Sequence, residues 1–142
     1  MGAKLQAVLE GVVDRLDDAI DTPAYGRIKP VHIVVITDGV PTDDPASAIQ
    51  AAAARLTDGM HHLNAVGIQF VQIGKDDGAD QALMQLCKSP VRVSGLPVLI
   101  PTSYMISIQG MVDTVPYAET FTSDRLKRIL LGGLHPSIRA KL

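Results

Sequence analysis

Two short apolar runs limit what this chain can fold into. Val31 to Thr37 reads VHIVVIT, and Ala65 to Ile73 reads AVGIQFVQI. Both are rich in β-branched residues, too short for helices of ordinary length, and nearly unbroken by charge. Runs of that kind read as strands buried on both faces, which occur in parallel sheets covered by helices. Between them, Pro45 to Met60 carries Ile49, Ala52, Ala53, Leu56 and Met60 on one helical stripe, with Asp44 placed as N-cap and Pro45 as first helical residue. A strand, a helix with an alanine face and a second strand make a βαβ unit.

The flanking sequence extends the alternation. Residues 3 to 20 place Leu5, Val8, Leu9, Val12, Val13, Leu16 and Ile20 on one helical face, and Pro23 ends that helix. Gly78 to Cys87 reads as a third helix. Met111 to Tyr117 reads as a strand, placed at a sheet edge by Pro116. A last helix is capped by Ser123 or Asp124, carries Leu126, Ile129, Leu130 and Gly133 as its stripe, and ends in a basic tail at Arg139 and Lys141. Residues 88 to 109 hold three prolines and no clean period, so they read as an atypical insert. The expected fold is α/β, a Rossmann-like and mostly parallel sheet with flanking helices. At 142 residues and 46% hydrophobic content, the chain suits one domain over 1–142 with a packed core.

Charge and composition exclude several classes. The net charge is −2 and the signs are interspersed, so no basic surface for nucleic acid is expected, and no docking on anionic membranes. No apolar run reaches the roughly 18 residues of a membrane span, and the N-terminus has no signal-peptide pattern. The single cysteine, Cys87, cannot form an internal disulfide, which favours a reducing, cytoplasmic setting; it reads as a buried structural thiol.

Candidate chemistry gathers after the first strand. In open parallel sheets, ligands bind beyond the carboxyl ends of the strands, and Asp38 falls there. It reads either as a ligand or as an Asx cap of the following turn. Asp43 reads as a solvated loop charge. Asp38, Asp43 and Asp44 do not have the spacing of an EF-hand loop. His61 and His62 follow the second helix, where they favour its C-terminus. His32 reads as a satisfied, buried or half-buried strand residue. The Gly-x-Ser-x-Gly, P-loop and Gly-x-Gly-x-x-Gly patterns are absent.

Three stretches together resemble a known family. Ile36-Thr37-Asp38-Gly39, Gly67 to Gly74 and Met111 to Tyr117 with its following helix are similar to the second half of a von Willebrand factor A (VWA) domain, closest to intracellular fungal-type members. The resemblance covers residues 1 to 87 and 110 to about 135. It implies a metal-ion-dependent adhesion site in which Mg²⁺ or a similar divalent cation accepts an acidic side chain of a protein partner. Asp38 matches one ligand of that site, the aspartate of the Thr-Asp-Gly motif. The family's Asp-x-Ser-x-Ser motif is missing, and its loop threonine would fall just before Met1. The expectation is therefore an N-terminally truncated domain with an incomplete ion site and Val31–Thr37 as an unprotected edge. The insert at 88 to 109 reads either as a lineage-specific insertion or as non-coding sequence carried into the reading frame. The leading functional expectation is a non-enzymatic protein-interaction module. An inactive fragment is one alternative. The other is a metal-dependent hydrolase or phosphatase, although the Asp-x-Asp motif of haloacid-dehalogenase-type phosphatases is absent.

Overall fold

The computed structural model describes residues 1–38, 40–76, 78–88 and 111–133, without the side chains of Leu63, Cys87 and Lys88. The expectations for Cys87 as a buried thiol, for the insert at 88 to 109 and for the basic tail lie outside the described residues. The architecture is α/β: a three-stranded parallel sheet flanked by helices. In chain order the main elements are α1 (Gly2–Ala19), β1 (Val31–Thr37), α2 (Pro45–Asp58), β2 (Val66–Gln72), α3 (Ala79–Lys88), β3 (Val112–Val115) and α4 (Ser123–Leu131). The strand order is β1-β2-β3, with Val31 opposite Val66, Thr37 opposite Gln72 and Ile68 opposite Val112.

Alternation along β2 divides the interior into two layers. Val66, Ile68 and Phe70 point to one side, into a core shared with Leu5, Leu9, Val13 and Leu16 of α1, Ile49 and Leu56 of α2, and Leu83 and Leu86 of α3. Burying each such side chain contributes about 1.5–3 kcal/mol. Val71 points to the other side and meets Val115 and Ile129 of α4. Small side chains at Ala52 and Ala53, both buried, let α2 lie close in that first layer. The Arg55 guanidinium reaches Asp14 at 2.9 Å and Asp17 at 2.6 Å on α1; these exposed pairs orient the helices but add little stability.

Burial corrects one expectation from the sequence. Strand β1 is not covered on both faces: Val34 is 40% exposed and Ile36 64%, whereas every residue of β2 is buried. The apolar run that read as covered on both faces leaves one face partly open, and no second neighbour stands beside it among the described residues, the edge position that the truncated-domain reading implied. The edge placement of β3, by contrast, agrees with Pro116 immediately after it.

The last helix also differs from expectation. Its N-cap is Thr122, whose side-chain oxygen accepts from the Arg125 N–H at 3.2 Å, instead of Ser123 or Asp124. Of its expected apolar stripe, Ile129 and Gly133 are buried, while Leu126 and Leu130 are exposed. The helix rests on the sheet through its C-terminal end. A Cβ on Gly132 would lie 2.6 Å from Asp113 Oδ2 and 2.7 Å from Gln69 Oε1, and one on Gly133 2.6 Å from His32 Nε2.

Candidate functional site

The carboxyl ends of the three strands form one rim. The Ile73 N–H donates to the Thr37 carbonyl at 2.8 Å, tying the ends of β1 and β2 together. Buried Gln72 links the next two loops, donating to the Gly74 carbonyl and accepting from the Tyr117 N–H, both at 3.3 Å. Gly74 sits at φ +80°, a conformation that side chains disfavour, and turns the chain away from β2. Beyond it, Lys75 pairs with Glu119 at 2.7 Å and lies 5.9 Å from the centre of the Tyr117 ring. Between these loops and the start of α3 is a polar cavity of about 340 Å³, lined by Gln72, Lys75, Asp76, Gly78, Asp80 and Tyr117.

Asp38 stands on this rim, directly after β1, and is exposed. Its carboxylate has no partner among the described residues, which removes the support for a capping role. Its two acidic neighbours are already engaged. Asp44 caps α2, accepting from Ala46 N and Ser47 N, and bonds the Ser47 hydroxyl; these contacts hold its carboxyl below the usual range. Asp43 is not a free solvated charge. It binds the Met1 ammonium at 2.7 Å and the Ala3 N–H at 3.2 Å, and the ammonium hydrogen bond holds its carboxyl well below the usual carboxylate range. The loop from Val40 to Asp44 and the first turn of α2 also wall a groove of about 530 Å³ against Ala82, Gln85 and Leu86 of α3.

These residues do not fit a complete divalent-cation site. Mg²⁺ requires near-octahedral oxygen coordination and keeps its waters unless several ligands converge. Among the described residues no three His, Cys, Asp or Glu side chains converge on a point that could hold a metal. Among the described residues, Asp38 alone of the three aspartates has neither oxygen engaged; Asp43 keeps only a buried Oδ1 without a partner, so the two together offer three oxygens at most.

The histidines fall elsewhere. Met60 adopts φ +57°, so the His61 N–H reaches back to the Leu56 carbonyl at 2.8 Å and the ring turns inward. His61 is therefore buried, and its ring is turned to Tyr25 and Asp17, while its backbone N–H meets the last turn of α2. It is hydrogen-bonded to Tyr25 Oη at 2.8 Å and to Asp17 at 2.8 Å; the His61 contact, the largest cause, lowers the Asp17 pKa, with Arg55 adding to it. This link between α1, the loop before β1 and the end of α2 joins residues 36 and 44 positions apart, and no local motif announces it. His32 is half-buried, yet its Nε2 has no partner among the described residues, so it is not fully satisfied as expected. Burial depresses its pKa, opposed by a contact with the Leu130 backbone.

Comparison with protein-family models, with curated proteins and with solved structures gave no match. Among the described residues, no helix is long and apolar enough to cross a membrane.

Proposed function

We propose that this chain is a non-enzymatic protein-interaction module in the manner of a VWA domain, contributing Asp38 and little else to a divalent-ion site. The observation that carries the reading is the state of the three aspartates. Asp43 and Asp44 are engaged, while Asp38 is exposed and unpartnered among the described residues at the carboxyl end of β1. A carboxylate held on a rigid strand end is well placed to take a cation together with oxygens from elsewhere, either a partner's acidic side chain or hydroxyl groups outside the described residues. The resemblance of Thr37-Asp38-Gly39 to the family motif supports the choice of Mg²⁺ or a similar ion.

The test is selection of binders from a random peptide display library in Mn²⁺, followed by binding measurements. Enriched peptides are expected to carry Asp or Glu, and their affinity to fall at least tenfold in EDTA and equally in Asp38→Ala. Binding insensitive to both changes would overturn the proposal. Turnover of a generic phosphate monoester that is lost in Asp38→Asn would replace it with the hydrolase reading.

A further inference from the structure

Among the described residues, strand β1 carries none of the features that usually protect a sheet edge. Natural edge strands are shortened, bulged, or marked with charges and prolines, because their outward N–H and C=O groups otherwise pair with another chain. Val31–Thr37 is seven residues long, pairs with β2 without a bulge and contains no charge or proline. Its face toward α4 adds exposed Val34 and Ile36, and on α4 itself Leu130 is 53% exposed and Leu126 43%. Leu130 approaches this strand directly, through its backbone contact with His32.

We propose that this edge pairs with a second copy of the same chain, β1 against β1 in antiparallel fashion about a two-fold axis at Val34, giving one continuous six-stranded sheet. Three observations select this occupant and this register. First, opposed residues of an antiparallel pair share a face, so a two-fold pairing must match even positions with even. Centring on Val34 does so while overlapping all seven residues: Val34 meets Val34, His32 meets Ile36, Ile33 meets Val35 and Val31 meets Thr37. Second, no opposed pair brings like charges together. Third, the charges beyond the strand are complementary. Asp38 of one copy falls opposite Pro30 of the other, next to Lys29, and both Asp38 and Lys29 are exposed without an ion pair among the described residues. The symmetry makes that contact twice. It also places the α4 helices of both copies on the same side of the sheet, flanking the paired Val34 and Ile36 side chains.

This pairing rests on the edge but draws on the same Asp38 as the ion-dependent reading, so the experiments are run in EDTA, where loss of ion-dependent binding leaves the dimer and the two ideas fail separately. Light scattering after size exclusion at tens of micromolar is expected to give twice the chain mass. Ile36→Lys is expected to give the single-chain mass with an unchanged far-UV spectrum, and Lys29→Glu to weaken the dimer at least tenfold. Lys29→Glu/Asp38→Lys is expected to restore it. In a Cys87→Ala background, Val34→Cys should cross-link with a short thiol-reactive linker, whereas Val8→Cys, exposed on α1, should not. A monodisperse monomer, polydisperse aggregate, or dimer that survives Ile36→Lys without cross-linking at Val34→Cys would each overturn the proposal. So would a monomer whose β1 amides resist hydrogen exchange, because a segment of the same chain would then hold the edge.

Discussion

Gly132→Ala sets two physical effects against each other at one position. Gly132 has φ −60° and ψ −35°, ordinary helical values. Backbone preference alone therefore favours alanine, by about 0.5–1 kcal/mol, through the lower entropy of the unfolded chain. Packing opposes it. The new Cβ would lie 2.6 Å from the Arg128 carbonyl, 2.6 Å from Asp113 Oδ2 and 2.7 Å from Gln69 Oε1. None of the three yields easily. The carbonyl is helix backbone that already accepts the Gly132 N–H at 2.7 Å. Asp113 is held by Arg128 through bonds of 3.3 and 3.2 Å, and Gln69 is fully buried. Overpacking of a closed site costs about 1–3 kcal/mol. The net expectation is a loss of about 1–2 kcal/mol, or roughly 3–8 °C in Tm for a chain of this size. Gly11→Ala provides the control, because Gly11 lies within α1 and a Cβ added there would meet nothing within 4 Å. It should gain up to about 1 kcal/mol. The chain has no tryptophan, so urea unfolding is followed by far-UV circular dichroism. A Gly132→Ala midpoint equal to or above that of the parent would refute the close seating of α4 on the sheet.

Two further predictions concern the polar groups under α4. Gln69 is fully buried and neither atom of its amide has a partner among the described residues; Gln69→Met keeps the volume and should raise stability by about 1–2 kcal/mol, read from the urea midpoint. His32 should make stability pH-dependent: burial lowers its folded pKa below the ordinary 6.5, so between those two values the unfolded chain binds more protons and stability falls as pH falls. Urea midpoints between pH 7.5 and 5 should decline for the parent, and His32→Leu should flatten that slope; an unchanged slope would assign the dependence to other groups.

The difference between Gln69 and Asp113 shows how far a sequence reading reaches here. They occupy opposed positions of the sheet, and both are buried polar residues. From the chain alone, Gln69 is one polar letter inside an apolar run and Asp113 one charge in a short strand. That Arg128 reaches Asp113 while no described residue reaches the Gln69 amide depends on how far α4 slides along the sheet, which no local pattern encodes. The candidate site was similarly divided. The position of Asp38 at a strand end followed from the length of the apolar run and the break after Thr37. The engagement of Asp43 by an ammonium group 42 positions away did not.

Periodicity and punctuation determined the elements by themselves. Val31 to Thr37 is a strand with the bounds expected, Pro45 opens α2 with Asp44 as its cap, and the alternation of strand and helix required a parallel sheet. These depend on interactions within a few residues, where backbone preference and apolar spacing act without reference to the rest of the chain. Tertiary structure alone decided how fully each strand is covered. An unbroken apolar run states that a strand can be buried on both faces, but not whether neighbours arrive to bury it. In β2 they do on both sides, and in β1 one edge and part of one face stay open among the described residues, because burial is a property of what packs alongside and not of the strand itself.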